Sequence, residues 1–194
     1  MLTQLDVINA QLATMGEAPI EEAEVPFHPW ATKGILDLRL ESRLFQTRGW
    51  WFNTLAFDAI PSEGITLPCG ILRVDGPGTE SLVIRGTTLY DYRDKSTLTR
   101  TVKKVKAVVE VDFADLPPVP QTVVYHRAVL AFQAHYDSTP STREVVAAQI
   151  REATLECNAE HVRNLRYNRL LNPSTLVKIM SIRQGAGRST GLPT

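Results

Sequence analysis

The strongest constraint on the fold is a change in hydrophobic periodicity at Gly49, which is reversed near residue 117. Before Gly49 apolar residues recur every three or four positions, which is typical of amphipathic helices. Between residues 50 and 116 they form short runs separated by Gly, Pro and Ser, which indicates strands and turns. Helical spacing then returns. This order predicts an α+β fold in which N- and C-terminal helices form a bundle with an inserted antiparallel β region.

Two helices are predicted in the N-terminal segment. Thr3 is a suitable cap for a short first helix that ends before Gly16. Pro29 suits the first turn of a second helix, which runs to about Arg48. The apolar face of the second helix is wide, so we expect protein to cover it on most sides. The apolar residues of the first helix are Leu5, Ile8, Leu12 and Met15. The second helix has two apolar rows: one is Ala31, Ile35, Leu38 and Phe45, and the other is Leu36, Leu40 and Leu44. Its polar row is Lys33, Asp37 and Glu41.

The middle of the chain contains the clearest strand pattern. From Lys104 to Phe113 apolar and charged residues alternate, which predicts one strand with a buried and a polar face. Glu110 and Asp112 belong to the polar face in this interpretation. Residues 81–85 and 88–92 flank Gly86 and predict a hairpin.

Two further helices are predicted after the proline-rich segment 116–120. The third has an apolar row of Tyr125, Ala128, Val129, Phe132 and Tyr136. The fourth begins at Thr139-Pro140, a cap with a first-turn proline, and residues 141–144 have capping-box spacing. It continues to about Asn168 and carries Val146, Ile150, Ala153, Cys157 and Leu165. The predicted division is 1–49 and 117–172 for the helices, 50–116 for the β region and 173–194 for an extended basic tail.

The charge balance argues against a dedicated nucleic-acid-binding protein, which usually has a basic face. The chain has 21 basic and 21 acidic residues and an isoelectric point near 6.9. The ends differ, however: residues 1–32 hold five acidic and no basic residues, and residues 161–194 hold six basic and no acidic residues. Such polarity can orient a partner or stack copies head to tail, but composition alone favours a solvated acidic loop and a loose basic tail.

Cysteine content and hydropathy indicate a soluble protein made in the cytosol. Cys69 and Cys157 are too few for a disulfide scaffold. The N-terminus lacks the pattern of a signal peptide, and no segment approaches the roughly 20 apolar residues of a membrane span.

No motif supports enzyme chemistry, and we predict no metal and no cofactor. His28, His126, His135 and His161 lack metal-binding spacing, and the chain has no Cys-x-x-Cys motif. The segment 185–191 mimics a dinucleotide fingerprint, but it follows no strand and has Thr190 in place of the third glycine. A nucleophile elbow is absent, and Cys157 is interpreted as a small buried residue.

Three clusters allow a structural or a functional interpretation. Trp50, Trp51 and Phe52 favour a place in the core over stacking on bases or sugars. The ladder Glu152, Glu156, Glu160 favours a solvated helix face, although a subunit contact could use it. Glu110, Asp112 and Asp115 could supply the paired acids of a glycosidase.

A family resemblance rests on several short motifs in a specific order. Residues 46–53 end a helix in Arg-Gly-Trp and continue, after one residue, with Phe-Asn. Residues 7–19, with their Gly-Glu-Ala-Pro turn, and the segments 89–92 and 112–117 also match. Together, from residue 1 to about 170, they resemble the tail tubular protein A family, the head-to-tail adaptors of short-tailed phages.

The resemblance implies a structural virion protein with no enzymatic activity. Family members form a twelve-subunit ring below the portal, and the tubular nozzle protein continues from it. Genome DNA passes through the lumen without sequence-specific binding, and tail fibres attach nearby. We therefore expect a homo-oligomer, with portal, nozzle and fibre proteins as partners, located at the head-to-tail junction of the virion.

The C-terminal tail is the predicted portal-binding segment. It combines apolar anchors with basic charge, as segments that order on binding do. The residues in question are Lys178, Ile179, Ile182, Arg183 and Arg188. Two other classes stay open: a tail-associated polysaccharide hydrolase that uses Glu110 and Asp112, and a DNA-binding module that uses the basic tail.

Overall fold

A computed structural model describes residues 1–22, 24–60, 70–76, 82–86, 88–135 and 140–165. Within these ranges the chain has an α+β fold of four helices and two small antiparallel sheets, as predicted. Two short 3-10 helices span Val25–Phe27 and Phe113–Asp115. In chain order the elements are α1 (Gln4–Ala13), α2 (Pro29–Gln46), β1 (Thr54–Ala59), β2 (Ile71–Asp75), β3 (Leu82–Arg85), β4 (Thr88–Asp91), β5 (Ser96–Thr97), β6 (Val102–Val109), α3 (Pro118–His135) and α4 (Pro140–Asn164).

Local signals determine the ends of the first two helices. Thr3 and Asp6 form a capping box: the Thr3 hydroxyl accepts from the Asp6 amide at 3.1 Å, and the Asp6 carboxylate accepts from the Thr3 amide at 2.7 Å. Gly16 follows α1 with a φ of +79°, a conformation that glycine adopts without strain. Pro29 occupies the first turn of α2. The predicted helix boundaries are confirmed here.

One hydrophobic cluster draws side chains from all four helices, which confirms that the N- and C-terminal helices pack together. α3 packs directly against α1, α2 and α4. The buried members of the cluster are Val7, Leu38, Phe45, Trp50, Leu116, Val123, Val124, Ala128, Ala153 and Cys157.

The predicted apolar rows of the C-terminal helices are correct in part. In α3, Ala128 and Phe132 are buried, but Val123 and Val124 are buried as well and Tyr125 only partly. In α4, Val146, Ala153 and Cys157 are buried, whereas Leu165 is exposed because it follows the last helical turn. Tyr136 and the proposed cap Thr139 lie outside the described residues, and so does the side chain of Ser141, with which the capping box was proposed.

The two sheets have strand orders β1-β6-β2 and β3-β4-β5. β6 pairs antiparallel with both of its neighbours, and β3 and β4 form the predicted hairpin around Gly86. Val102, Val105 and Ala107 of β6 pack on apolar side chains from both sheets. The β region therefore has a hydrophobic core of its own beside that of the helices.

The predicted strand from Lys104 to Phe113 is wrong at both ends. The observed strand begins at Val102 and ends at Val109, so Glu110 and Asp112 do not belong to a strand face. The end has a specific cause: a side chain of α2, Gln46, binds the backbone of Val111 in place of a strand neighbour.

Cys157 is the buried thiol that the sequence predicts. Burial, and secondarily the negative charge of Glu160, raises the pKa of Cys157 to about 12. In a Cys69→Ser variant, in which Cys157 is the sole thiol, we expect Ellman's reagent at pH 8 to leave the folded protein unlabelled. The reactive thiolate is about a thousandfold scarcer than for an ordinary cysteine.

Unfolding in guanidinium chloride should expose Cys157, which should then be labelled completely and rapidly. A Gln149→Cys variant of the same background supplies an exposed thiol on the same helix and should react at once. Rapid labelling of Cys157 in the folded Cys69→Ser protein would contradict the buried position.

Candidate assembly surfaces

Residues 46–53, which carry the family motif, join the helices to the β1-β6-β2 sheet. Trp50 is only 1 % exposed, stacks on Phe45, and donates its indole N–H to the Phe45 carbonyl at 2.9 Å. The Asn53 amide bridges two elements, since its Nδ2 donates to the carbonyls of Gln46 at 3.1 Å and Val109 at 3.0 Å. Trp50 is thus a core residue, and stacking on a base or sugar is excluded for it.

Helix α4 is fixed to the same junction through His161. The His161 Nδ1 accepts a hydrogen bond from the Trp51 amide at 3.2 Å, and its ring lies edge-on to Trp50. Burial, and secondarily the positive charge of Arg48, lowers the pKa of His161. A neutral imidazole is the form that can accept this bond, so His161 has a structural role.

The polar row of α2 faces inward, contrary to the usual orientation of such a row. Asp37 is 5 % exposed and forms an ion pair with Lys33, and its Oδ1 lies 3.9 Å from the Nε2 of His135. Glu41 accepts from Arg127 of α3 at 2.8 Å. Because α3 supplies the Arg127 guanidinium and the His135 imidazole, polar and charged side chains occupy the contact between α2 and α3.

As a result, an apolar row of α2 points outward. Leu36, Leu40 and Leu44 are 56 %, 55 % and 53 % exposed, and we name this row the leucine ridge. Residues four apart lie about 40° from each other on a helix, so the three side chains form one continuous line. The expectation that protein covers α2 on most sides is wrong for the described part of this chain.

A second outward apolar surface lies on α4. Its outer face consists of Ala148, Leu155, Ala159 and Val162, all exposed, with Leu155 71 % exposed. The glutamate ladder divides at this face: Glu152 and Glu156 are exposed beside it, whereas Glu160 is partly buried. Contiguous exposed apolar surface of this kind marks interaction sites in soluble proteins.

Glu110 and Asp112 line a cleft of about 370 Å³ between α2 and the segment that follows β6. Arg39 and Ser42 of α2 line the same cleft, and Glu110 lies 4.0 Å from the guanidinium of Arg43. Both acids thus border one cavity, but basic side chains of α2 accompany them.

Comparison with known proteins identifies the family. Residues 5–167 match the model of the family described as tail tubular protein. The chain belongs to this family. It is also 29 % identical over 119 residues to tail tubular protein A of Klebsiella phage KP34, a match that covers 60 % of this chain and 63 % of that relative. Less than two thirds of the relative's length is therefore matched.

Membership of the tail tubular family makes this chain a structural protein of a phage tail. Among the described residues, no helix is long and apolar enough to cross a membrane. The same residues contain no group of three or more side chains that could hold a metal ion.

The predicted portal-binding residues lie outside the described part of the tail tubular chain. Lys178, Ile179, Ile182, Arg183 and Arg188 also follow residue 167, where the family match ends. Sequence reasoning missed the outward position of the leucine ridge. The signal that could have revealed it was Arg127 of α3, whose guanidinium pairs with Glu41 in the polar row of α2.

Proposed function

We propose that this tail tubular protein forms a ring that joins the portal to the tubular nozzle and surrounds the path of the DNA. The observation that carries the proposal is the exposure of the leucine ridge on a chain of this family. A line of three leucines that are each more than half exposed is costly in water and indicates burial against another protein.

The overall charge supports the same function. A neutral chain can surround DNA without holding it, because each phosphate contact made by a lysine or arginine adds a salt-dependent attraction. Portal, nozzle and tail-fibre proteins are the proposed partners at the head-to-tail junction. DNA passes through the lumen without sequence-specific binding, and the function needs neither cofactor nor metal.

Light scattering after size exclusion tests the proposal, with the protein alone and mixed with its cognate portal. We expect a large ring of the isolated protein, or co-elution with the portal at matching subunit stoichiometry. A monomer that ignores the portal would refute the adaptor function. Glycan cleavage that depends on Glu110 and Asp112, or salt-dependent DNA binding, would then point to the other two classes.

Removal of residues 174–194 should abolish portal binding. This segment contains Lys178, Ile179, Ile182, Arg183 and Arg188, the proposed portal-binding residues, and none of the described core. We expect the shortened chain to retain its thermal unfolding midpoint while its co-elution with the portal is lost. Undiminished co-elution would show that another surface binds the portal.

A further inference from the structure

The leucine ridge is flanked by positive charge. Helix α2 is described throughout, and its only exposed charged side chains are Arg39 and Arg43. Lys33, Asp37 and Glu41 are wholly or partly buried. Although Glu110 lies 4.0 Å from Arg43, the exposed charge on α2 itself is positive, so a partner that offers apolar contacts with negative charge beside them fits this ridge best.

The outer face of α4 has these properties. Ala148 and Ala159 are small and lie on either side of Leu155, so they leave space beside it for larger side chains. From residue 144 to the end of α4 the exposed charged residues are Glu144, Glu152 and Glu156 against Arg151 and Arg163, so acidic residues exceed basic ones by one.

Within one chain these two surfaces do not meet. Each lies on the side of its helix away from the bundle core, and α3 packs between the two helices. Two copies of the leucine ridge would also bring four arginines together, so a symmetric contact of like surfaces is unfavourable. A contact between unlike surfaces repeats from copy to copy and generates a ring when its rotation closes.

We propose that the leucine ridge of one copy packs against the outer face of α4 in the next copy. This inference rests on the proposed function, because it names the surfaces that form the ring. The basic tail of the same chain is a poor occupant of the ridge: residues 166–194 contain five basic and no acidic residues and would face Arg39 and Arg43.

Disulfide cross-linking of the full chain tests the pairing. Leu36→Cys, Leu40→Cys and Leu44→Cys proteins are each mixed with Leu155→Cys or Ala159→Cys proteins and oxidised with copper phenanthroline. We expect dimers in at least one mixture, since a disulfide forms only between Cα atoms about 4.4–6.8 Å apart. All of these variants are made in the Cys69→Ser chain, whose remaining native cysteine, Cys157, is buried, and that chain without an added cysteine measures the background.

The cross-linking outcomes separate the possible arrangements. Dimers in a ridge variant alone would show a symmetric contact and overturn the proposal. A link inside one chain of the Leu40→Cys/Leu155→Cys variant, or no link in any mixture although rings form, would overturn it as well.

A charge in the ridge should weaken assembly. We expect Leu40→Glu to weaken association at least about tenfold, because the new carboxylate would be buried in an apolar contact. Leu55→Glu is the matched control, since Leu55 is 49 % exposed and lies on β1, which contributes no residue to either surface. Assembly is followed by light scattering against concentration, with the portal added if rings form only on it.

Reversal of charge gives a second readout. Arg39→Glu with Arg43→Glu should weaken association, and adding Glu152→Lys with Glu156→Lys to the same chain should restore it. Rings that tolerate Leu40→Glu as well as Leu55→Glu would refute the paired surfaces but leave the adaptor function intact. Absence of any assembly, alone or with the portal, would refute both.

Discussion

Replacement of Trp50 by alanine is expected to destabilise the protein by about 4 kcal/mol, the usual cost of removing a buried tryptophan. The side chain is almost fully buried where α2, α4 and the β1-β6-β2 sheet meet. Its removal leaves a cavity and an unpaired carbonyl at Phe45. Because domains are typically stable by only 5–15 kcal/mol, a large part of the folding free energy should be lost. Urea unfolding followed by circular dichroism measures the change.

Two variants separate the sources of the Trp50 effect. Trp50→Phe keeps a ring on Phe45 but cannot donate to its carbonyl, so we expect a smaller loss of about 2 kcal/mol. Trp51→Ala removes an adjacent tryptophan that is only partly buried and should cost less than Trp50→Ala. An equal loss for Trp50→Ala and Trp51→Ala would contradict the central position of Trp50.

Replacement of Gln46 by alanine is expected to cost about 3 kcal/mol. The Gln46 side chain accepts from the Val111 amide at 2.8 Å and donates to the Val111 carbonyl at 2.8 Å. Its Nε2 also donates to Ser42 at 2.9 Å. Alanine would leave two partly buried backbone groups without these partners, each at a cost of about 1–3 kcal/mol where water cannot replace them.

Gln149→Ala is the control for the Gln46 prediction. Gln149 is exposed in the interior of α4, where alanine is a better helix former, so we expect a change within about 0.5 kcal/mol. The two free energies of unfolding come from urea titrations of both variants. If they are equal, the link between Gln46 and Val111 does not stabilise the fold.

Much of the fold is predictable because its determinants are local. Thr3, Asp6 and Gly16 specify the ends of α1 within a few residues, and Gly86 specifies a hairpin. The end of β6 was not predictable in this way. It depends on Gln46, which lies 65 positions before Val111, and no period or turn signal carries such information. The division at residues 49, 116 and 172 stays a prediction.

The candidate assembly surfaces were visible in the sequence only as patterns. The spacing of Leu36, Leu40 and Leu44 places them on one face of a helix, but spacing does not say what covers that face. Either of the two apolar rows, or the polar row, could face the interior of the protein. The choice depends on Arg127, which neutralises Glu41 from another helix. The chemistry of α3, and not the hydrophobicity of α2, therefore determines the outward surface.

Because the polar row of α2 faces inward, the time at which α2 takes its final orientation depends on the order of synthesis. Arg127 is translated about 80 residues after α2 is complete, which takes several seconds at 5–20 residues per second. During that interval Asp37 and Glu41 have no partner from α3, and either apolar row of α2 can turn toward the growing core. The orientation of α2 in the nascent chain is therefore fixed late, after the whole β region has been synthesised.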